Sequence, residues 1–155
     1  MPMKGQDLKV SLISNSAQET MRVAKEFGLQ LKPGDIVFLQ GDLASGKTTF
    51  VKGLAQGFRV NPKKVNSPTF VLMNYYKGKV PLYHFDFYRL DPGTIEAFDF
   101  DEYFYGDGIC LIEWPERLGI HAPRLSYLVQ FQHKGENKRR LCISCLLKHR
   151  VKSSR

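Results

Sequence analysis

Short apolar runs and amphipathic stretches alternate along the first half of the chain. Lys9–Ile13 reads as a short strand. Ser16 followed by Glu19 is a capping box that opens a helix. Ala17, Met21, Ala24 and Phe27/Gly28 fall on one stripe of that helix, with Gly28 as its C-cap. Lys32-Pro33-Gly34-Asp35 is a turn. Ile36–Gln40 is almost continuously apolar, as a strand buried on both faces must be. Phe50, Val51, Leu54, Ala55 and Phe58 form the stripe of a second helix, closed by Gly57.

The second half reads as strands. Residues 70–76 and 80–88 are joined by Lys77-Gly78-Lys79 and predict a hairpin. Residues 109–114 form an apolar strand stopped by Pro115. Residues 126–132 and 139–147 predict a C-terminal hairpin around Lys134-Gly135-Glu136-Asn137. A βαβ front joined to hairpins behind gives an α/β fold with a mixed parallel/antiparallel sheet.

Composition changes this picture little. The 155 residues are one domain's worth, 43% hydrophobic and 25% charged, which excludes a disordered tail, a collagen or a coiled coil. No apolar run approaches a membrane span, and MPMKGQDLKVSL lacks a signal-peptide core, so the chain reads as cytoplasmic. The net charge of +8 is uneven: residues 148–155 carry +4 with no acid. The division is therefore a domain over 1–147 and a basic C-terminal tail over 148–155, a solvated end that also suits RNA phosphates. Cys110, Cys142 and Cys145 lie in strand-like runs and read as small core hydrophobes. Cys142 and Cys145 have C-x-x-C spacing, but zinc would want a second pair.

Candidate chemistry begins between the first buried strand and the second helix. Gly41-Asp42-Leu43-Ala44-Ser45-Gly46-Lys47-Thr48, followed by Thr49, matches G-x-x-x-x-G-K-[ST] at every defined position. The glycines let successive N–H groups turn inward around an anion, and the helix adds its positive end. Lys47 supplies a compact positive charge for the outer phosphates, and Thr48 a hydroxyl for magnesium. The motif between strand and helix predicts a three-layer P-loop NTPase-like fold. The Asn-Lys pair at 137–138 does not continue as N-K-x-D, so guanine selectivity fails and ATP is the expected nucleotide.

Such a cradle needs acids. Glu113 closes an apolar strand, where sites of parallel sheets lie. Asp86 shares a strand face with His84, opposite Tyr83, Phe85 and Phe87. His84 itself reads as a satisfied core histidine. In Asn66-Ser67-Pro68-Thr69-Phe70, Thr69 offers a hydroxyl where a phosphate-sensing switch can sit, though spacing fits an ordinary loop equally. Trp114 reads either as a core aromatic or as a lid over the pocket.

In combination, GDLASGKTTFVKGL, NSPTFVLMNYY, YHFDFYRLDP and DEYFYGDGICLIEWPE resemble the bacterial TsaE (YjeE) family over roughly residues 10–147. The resemblance implies a small magnesium-dependent ATPase of tRNA threonylcarbamoyladenosine biosynthesis, required for the modification of adenosine 37 in tRNAs that read ANN codons. It implies action through a TsaD–TsaB heterodimer, indirect contact with tRNA, and no carbamoyl transfer by the ATPase itself. By matching positions, it implies that Lys47 and Thr48 hold phosphate and magnesium, and that Thr69 is the switch. Asp86 would orient or activate water. Glu113 would be the magnesium-linked carboxylate, and Trp114 a functional aromatic beside it. The family loop usually reads GDLGAGKT; Ala44 and Ser45 depart from it, and a positive φ at position 44 would cost alanine about 1 kcal/mol.

Two other classes share the cradle. A small-molecule kinase would carry a lid with several arginines, yet the stretch after the second helix holds only Arg59 and Arg89 and no lid-sized insertion. A binding module switched by ATP, with hydrolysis incidental, is the other.

Overall fold

A computed structural model describes residues 9–69 and 71–146. The basic tail over 148–155 lies outside the described residues, as do Phe70 and Leu147, at which two of the expected strands begin and end. The described strands are β1 (Lys9–Ser14), β2 (Ile36–Gln40), β3 (Met73–Tyr76), β4 (Leu82–Asp86), β5 (Ile109–Glu113), β6 (Tyr127–His133) and β7 (Arg139–Cys145). The helices are α1 (Ala17–Gly28), α2 (Lys47–Gly57), α3 (Pro92–Ala97) and α4 (Asp101–Phe104).

The strands form one sheet in the order β1-β7-β6-β2-β5-β4-β3. β4, β5, β2 and β6 run parallel, while β3, β7 and β1 are antiparallel to their neighbours. The sheet is mixed, as expected. Its parallel centre explains the unbroken apolar runs: every residue of β5 and the first four of β2 are buried.

Helices α1 and α2 cover one face. Phe50 is fully buried there, set edge-on to Phe131 at 5.4 Å and tilted against Phe27 at 5.8 Å. Phe50→Ala would cost about 3–5 kcal/mol. The helices touch so closely that a Cβ on Gly53 would stand 2.2 Å from the Met21 carbonyl oxygen. The other face is covered by an aromatic layer from residues 95–104, in which Phe85 meets Phe100 and Phe104 edge-on. Two covered faces make three layers.

Several boundaries differ from the sequence reading. Gly28 is the last residue of α1 rather than its cap; Leu29 caps the helix in right-handed geometry. β3 begins at Met73, not at residue 70, because Val71 and Leu72 donate back to the Pro68 carbonyl in a turn that sends Leu72 to φ +72°. β4 spans Leu82–Asp86 rather than 80–88, because the Asp86 carboxylate accepts from the Tyr88 amide and turns the chain. β5 ends at Glu113, since Trp114 adopts φ +57°. Helices α3 and α4 and the 3-10 turns at Pro62–Lys64 and Pro115–His121 were not anticipated. All three cysteines are free, and burial pushes the Cys110 thiol up to about 12.

Candidate active site

β2, β4 and β5 end together. Register places Leu39 beside Glu113 and Glu113 beside Asp86, so the two acids are neighbours on adjacent parallel strands. The loop after β2 reverses into α2 next to them. Ala44 takes φ +60° and Gly46 φ +105°, and Gly46 caps α2 without any side-chain hydrogen bond. The first amides of α2 are therefore left for an outside acceptor, and no acid stands in the first turn to compete for them.

Lys47 is 5% exposed. Its Nζ donates to the Gly41 carbonyl and stands 4.2 Å from the centroid of the Trp114 ring. Burial lowers the ammonium's pKa; Glu113 first, then Asp86, pull it back up. The lysine thus sits at the loop within electrostatic reach of both acids. Trp114 lies over it, packs on Tyr88 at 4.9 Å and also rests half-buried against the aromatic core, so it carries features of both of its readings.

Glu113 is 3% exposed, and its Oε2 lies 2.5 Å from His84 Nε2. His84 is fully buried, with Nδ1 3.2 Å from the Tyr76 hydroxyl. It is a satisfied core histidine that fixes the orientation of Glu113. Asp86 is held from three directions: Thr69 Oγ1 donates to Oδ2 at 2.8 Å, Ser67 Oγ to Oδ2 at 3.4 Å, and the Tyr88 amide to Oδ1 at 2.9 Å. A cavity of about 230 Å³ lined by Thr69, Asp86, Arg89 and Thr94 opens beside this acid.

The anticipated site residues thus lie on the segment from Gly41 to Thr49, at the ends of β4 and β5, just past β5 for Trp114, and on the turn before β3 for Thr69: Thr69 on Asp86, Asp86 beside Glu113, Trp114 over Lys47. One residue the sequence did not mark is Arg139, at the start of β7. Its Nε donates to the Ser45 carbonyl at 3.1 Å and its Nη2 to the Ala44 carbonyl at 3.4 Å. By holding those carbonyls outward it turns the following amides toward the loop's interior. No local signal reveals it, because the contact spans β7 and the loop.

The donor set is made of hard oxygens: the Thr48 hydroxyl at the helix start and two buried carboxylates. Among the described residues no three histidine, cysteine or acidic side chains form a metal cluster. Magnesium does not require one, since it keeps several waters and takes one or two protein oxygens plus phosphate. The residues fit that ion, and the uncapped helix with its buried ammonium fits a polyphosphate.

A glycine loop at a helix start, beside strand-end acids on a mixed sheet, defines the class: an α/β protein whose loop, suited to an anion, follows the central strand of the sheet. The family model for "Threonylcarbamoyl adenosine biosynthesis protein TsaE" matches residues 14–141. The chain belongs to the TsaE family. It is 38% identical over 130 residues to the tRNA threonylcarbamoyladenosine biosynthesis protein TsaE of Bacillus subtilis, covering 83% of this chain and 81% of that one. It is 40% identical over 136 residues to the TsaE of Treponema pallidum, covering 85% and 98%. A crystal structure of YdiB from Bacillus subtilis superposes with a TM-score of 0.75 at 30% identity, covering 92% of this chain and 90% of that one. Membership supports a role in threonylcarbamoyladenosine biosynthesis on tRNA. Among the described residues no helix is long and apolar enough to cross a membrane.

Proposed function

We propose that the chain is a magnesium-dependent ATPase that serves threonylcarbamoylation of adenosine 37 in tRNAs reading ANN codons. It acts in the cytoplasm through a TsaD–TsaB-type heterodimer and does not transfer the carbamoyl group itself. The observation that carries this reading is the placement of Lys47, buried at an uncapped helix start within electrostatic reach of two adjacent carboxylates.

The loop amides and the start of α2 receive the outer phosphates of ATP, and Lys47 exchanges the Gly41 carbonyl for a phosphate oxygen. Thr48 and Glu113 would hold Mg²⁺, which when bound offsets phosphate charge and fixes the triphosphate's orientation. His84 keeps the Glu113 carboxylate turned to that position. Asp86 orients the attacking water and accepts its proton as the terminal phosphoryl bond breaks, leaving ADP and phosphate. Thr69 Oγ1 donates to Asp86 Oδ2, so a move of Thr69 toward the terminal phosphate would free the acid. Trp114 shields the pocket from solvent.

The test is ATP hydrolysis by the purified chain with and without a TsaD–TsaB heterodimer. Slow turnover alone and faster turnover with partners is expected. Hydrolysis that appears only with a small-molecule acceptor would make the chain a kinase instead. Nucleotide binding without partner-stimulated hydrolysis would make it a switch.

A further inference from the structure

The charge of this chain is concentrated in two places. Residues 57–80 carry five cations, Arg59, Lys63, Lys64, Lys77 and Lys79, and no acid, while the tail over 148–155 carries four; the rest of the chain sums to −1. The fold gathers three of the five around one cavity of about 420 Å³, lined by Arg59, Lys64, Lys77, Asn61, Asn66 and Asn74 among others and by no carboxylate. All five cations are exposed, and among the described residues none of them makes an ion pair. Such a surface repels itself and suits an outside anion. Amide side chains alternating with cations suit a phosphodiester chain, whose oxygens accept from both and whose sugars accept from the amides.

The inner wall of this cavity is a hydrogen-bond chain that leads to the candidate active site. Asn74 Nδ2 donates to the Asn66 carbonyl at 3.1 Å and to the Tyr76 hydroxyl at 3.4 Å. Tyr76 also donates to the Asn66 carbonyl at 3.1 Å, and its hydroxyl lies 3.2 Å from His84 Nδ1. His84 in turn holds Glu113. Asn66 directly precedes Ser67, which donates to Asp86.

We propose that this basic cavity binds the phosphate backbone of a single-stranded RNA segment, and that its occupancy and that of the phosphate loop influence each other through Tyr76 and His84. The second part rests on the reading of the loop as an ATP site; the first does not.

The experiment measures anisotropy of a labelled 20-nucleotide single-stranded RNA on the full chain over a salt series, with and without Mg-ATP. R59E/K64E/K77E is expected to weaken RNA binding at least tenfold and to flatten the salt slope by about 2, as loss of three phosphate contacts requires. R59Q/K64Q/K77Q, which adds no repulsion, should weaken it by a smaller factor in the same direction. A tail variant with Lys148, Lys152, Arg150 and Arg155 changed to Ser should keep the pocket-dependent slope. Mg-ATP should shift wild-type RNA affinity at least threefold, and Tyr76→Phe should abolish that shift while RNA still binds. Unchanged RNA binding in the triple variants, loss of all binding with the tail variant, or displacement by polyglutamate as effective as by unlabelled RNA at matched charge would each overturn the RNA site. A shift by Mg-ATP that persists in Tyr76→Phe, or no shift in wild type, would overturn the coupling. Calorimetry of Mg-ATP on the wild-type chain alone separates the latter from a failure of the ATP site itself.

Discussion

Arg139 and Ser45 are 94 positions apart, yet the arginine's Nε donates to the serine's carbonyl at 3.1 Å. The guanidinium also spans to the Ala44 carbonyl, while its Nη1 donates to the Gly135 and Lys138 carbonyls of its own hairpin. The loop's curvature is thus held from outside by the C-terminal hairpin. Arg139→Ala should raise the Kd for ATP about tenfold, the worth of roughly 1.5 kcal/mol for lost charge-assisted bonds. Arg139→Lys, with charge but no fork, should fall between. Calorimetry reads the affinity, and kcat at saturation should stay within about twofold if the residue only positions the loop.

Lys47 titrates against burial, and the sign of the effect is fixed. Its pKa in the folded chain lies below the ordinary lysine value. Between the two values the unfolded chain binds more protons, so this residue's contribution to stability rises with pH through that window. Urea melts of wild type against Lys47→Met at neutral and alkaline pH should show wild type gaining relative to the variant as pH climbs. ATP binding has the opposite trend, because only the ammonium grips phosphate. Affinity should decline on the alkaline side earlier than for an unperturbed lysine, and Lys47→Ala should lose most of it in calorimetry.

The two acids should separate in their effects. Asp86→Asn keeps the hydrogen bond from Thr69 but cannot take a proton, so nucleotide affinity should stay within about threefold while turnover falls by 10²-fold or more. Glu113→Ala should abolish metal-dependent hydrolysis and leave His84 without its partner. Single-turnover hydrolysis alongside calorimetry checks both, and wild-type rates in both variants would sink the assignment of the acids.

Much of this arrangement is legible in the sequence. The strands at Ile36–Gln40 and Ile109–Glu113 announce themselves because both faces are buried. α1 announces itself because Ser16 accepts from the Glu19 amide as its capping pattern implies. α3 carries a local signal: Asp91 accepts from the Thr94 amide and Pro92 stands at the first helical turn. α4 carried none, since its four residues are ordered by Phe104 and Tyr103 packing on Phe85, a contact no local period encodes. The same holds for Arg139 and for the pairing of β1 with β7, both set by long-range geometry. His84 is the satisfied core histidine its pattern implies; only its partner, a carboxylate 29 positions away, is hidden from local reading.

The departure of the loop from GDLGAGKT has a measurable cost. Ala44 adopts φ +60°, a region that strains a side chain by about 1–2 kcal/mol. Ala44→Gly releases that strain but adds freedom to the unfolded chain worth up to about 1 kcal/mol. A net gain of about 0.5 kcal/mol is expected in chemical denaturation, with ATP affinity unchanged or slightly improved. A loss of stability would mean that the alanine methyl packs in a way the backbone angle does not reveal.

Trp114 is the chain's single tryptophan, and the ammonium of Lys47 rests against its ring. The protein therefore carries an optical gauge at its own doorway. Any occupant that draws that cation off the indole will alter the intrinsic emission, so the loop can be titrated in plain buffer, with no label attached and no second chromophore of its kind to blur the trace.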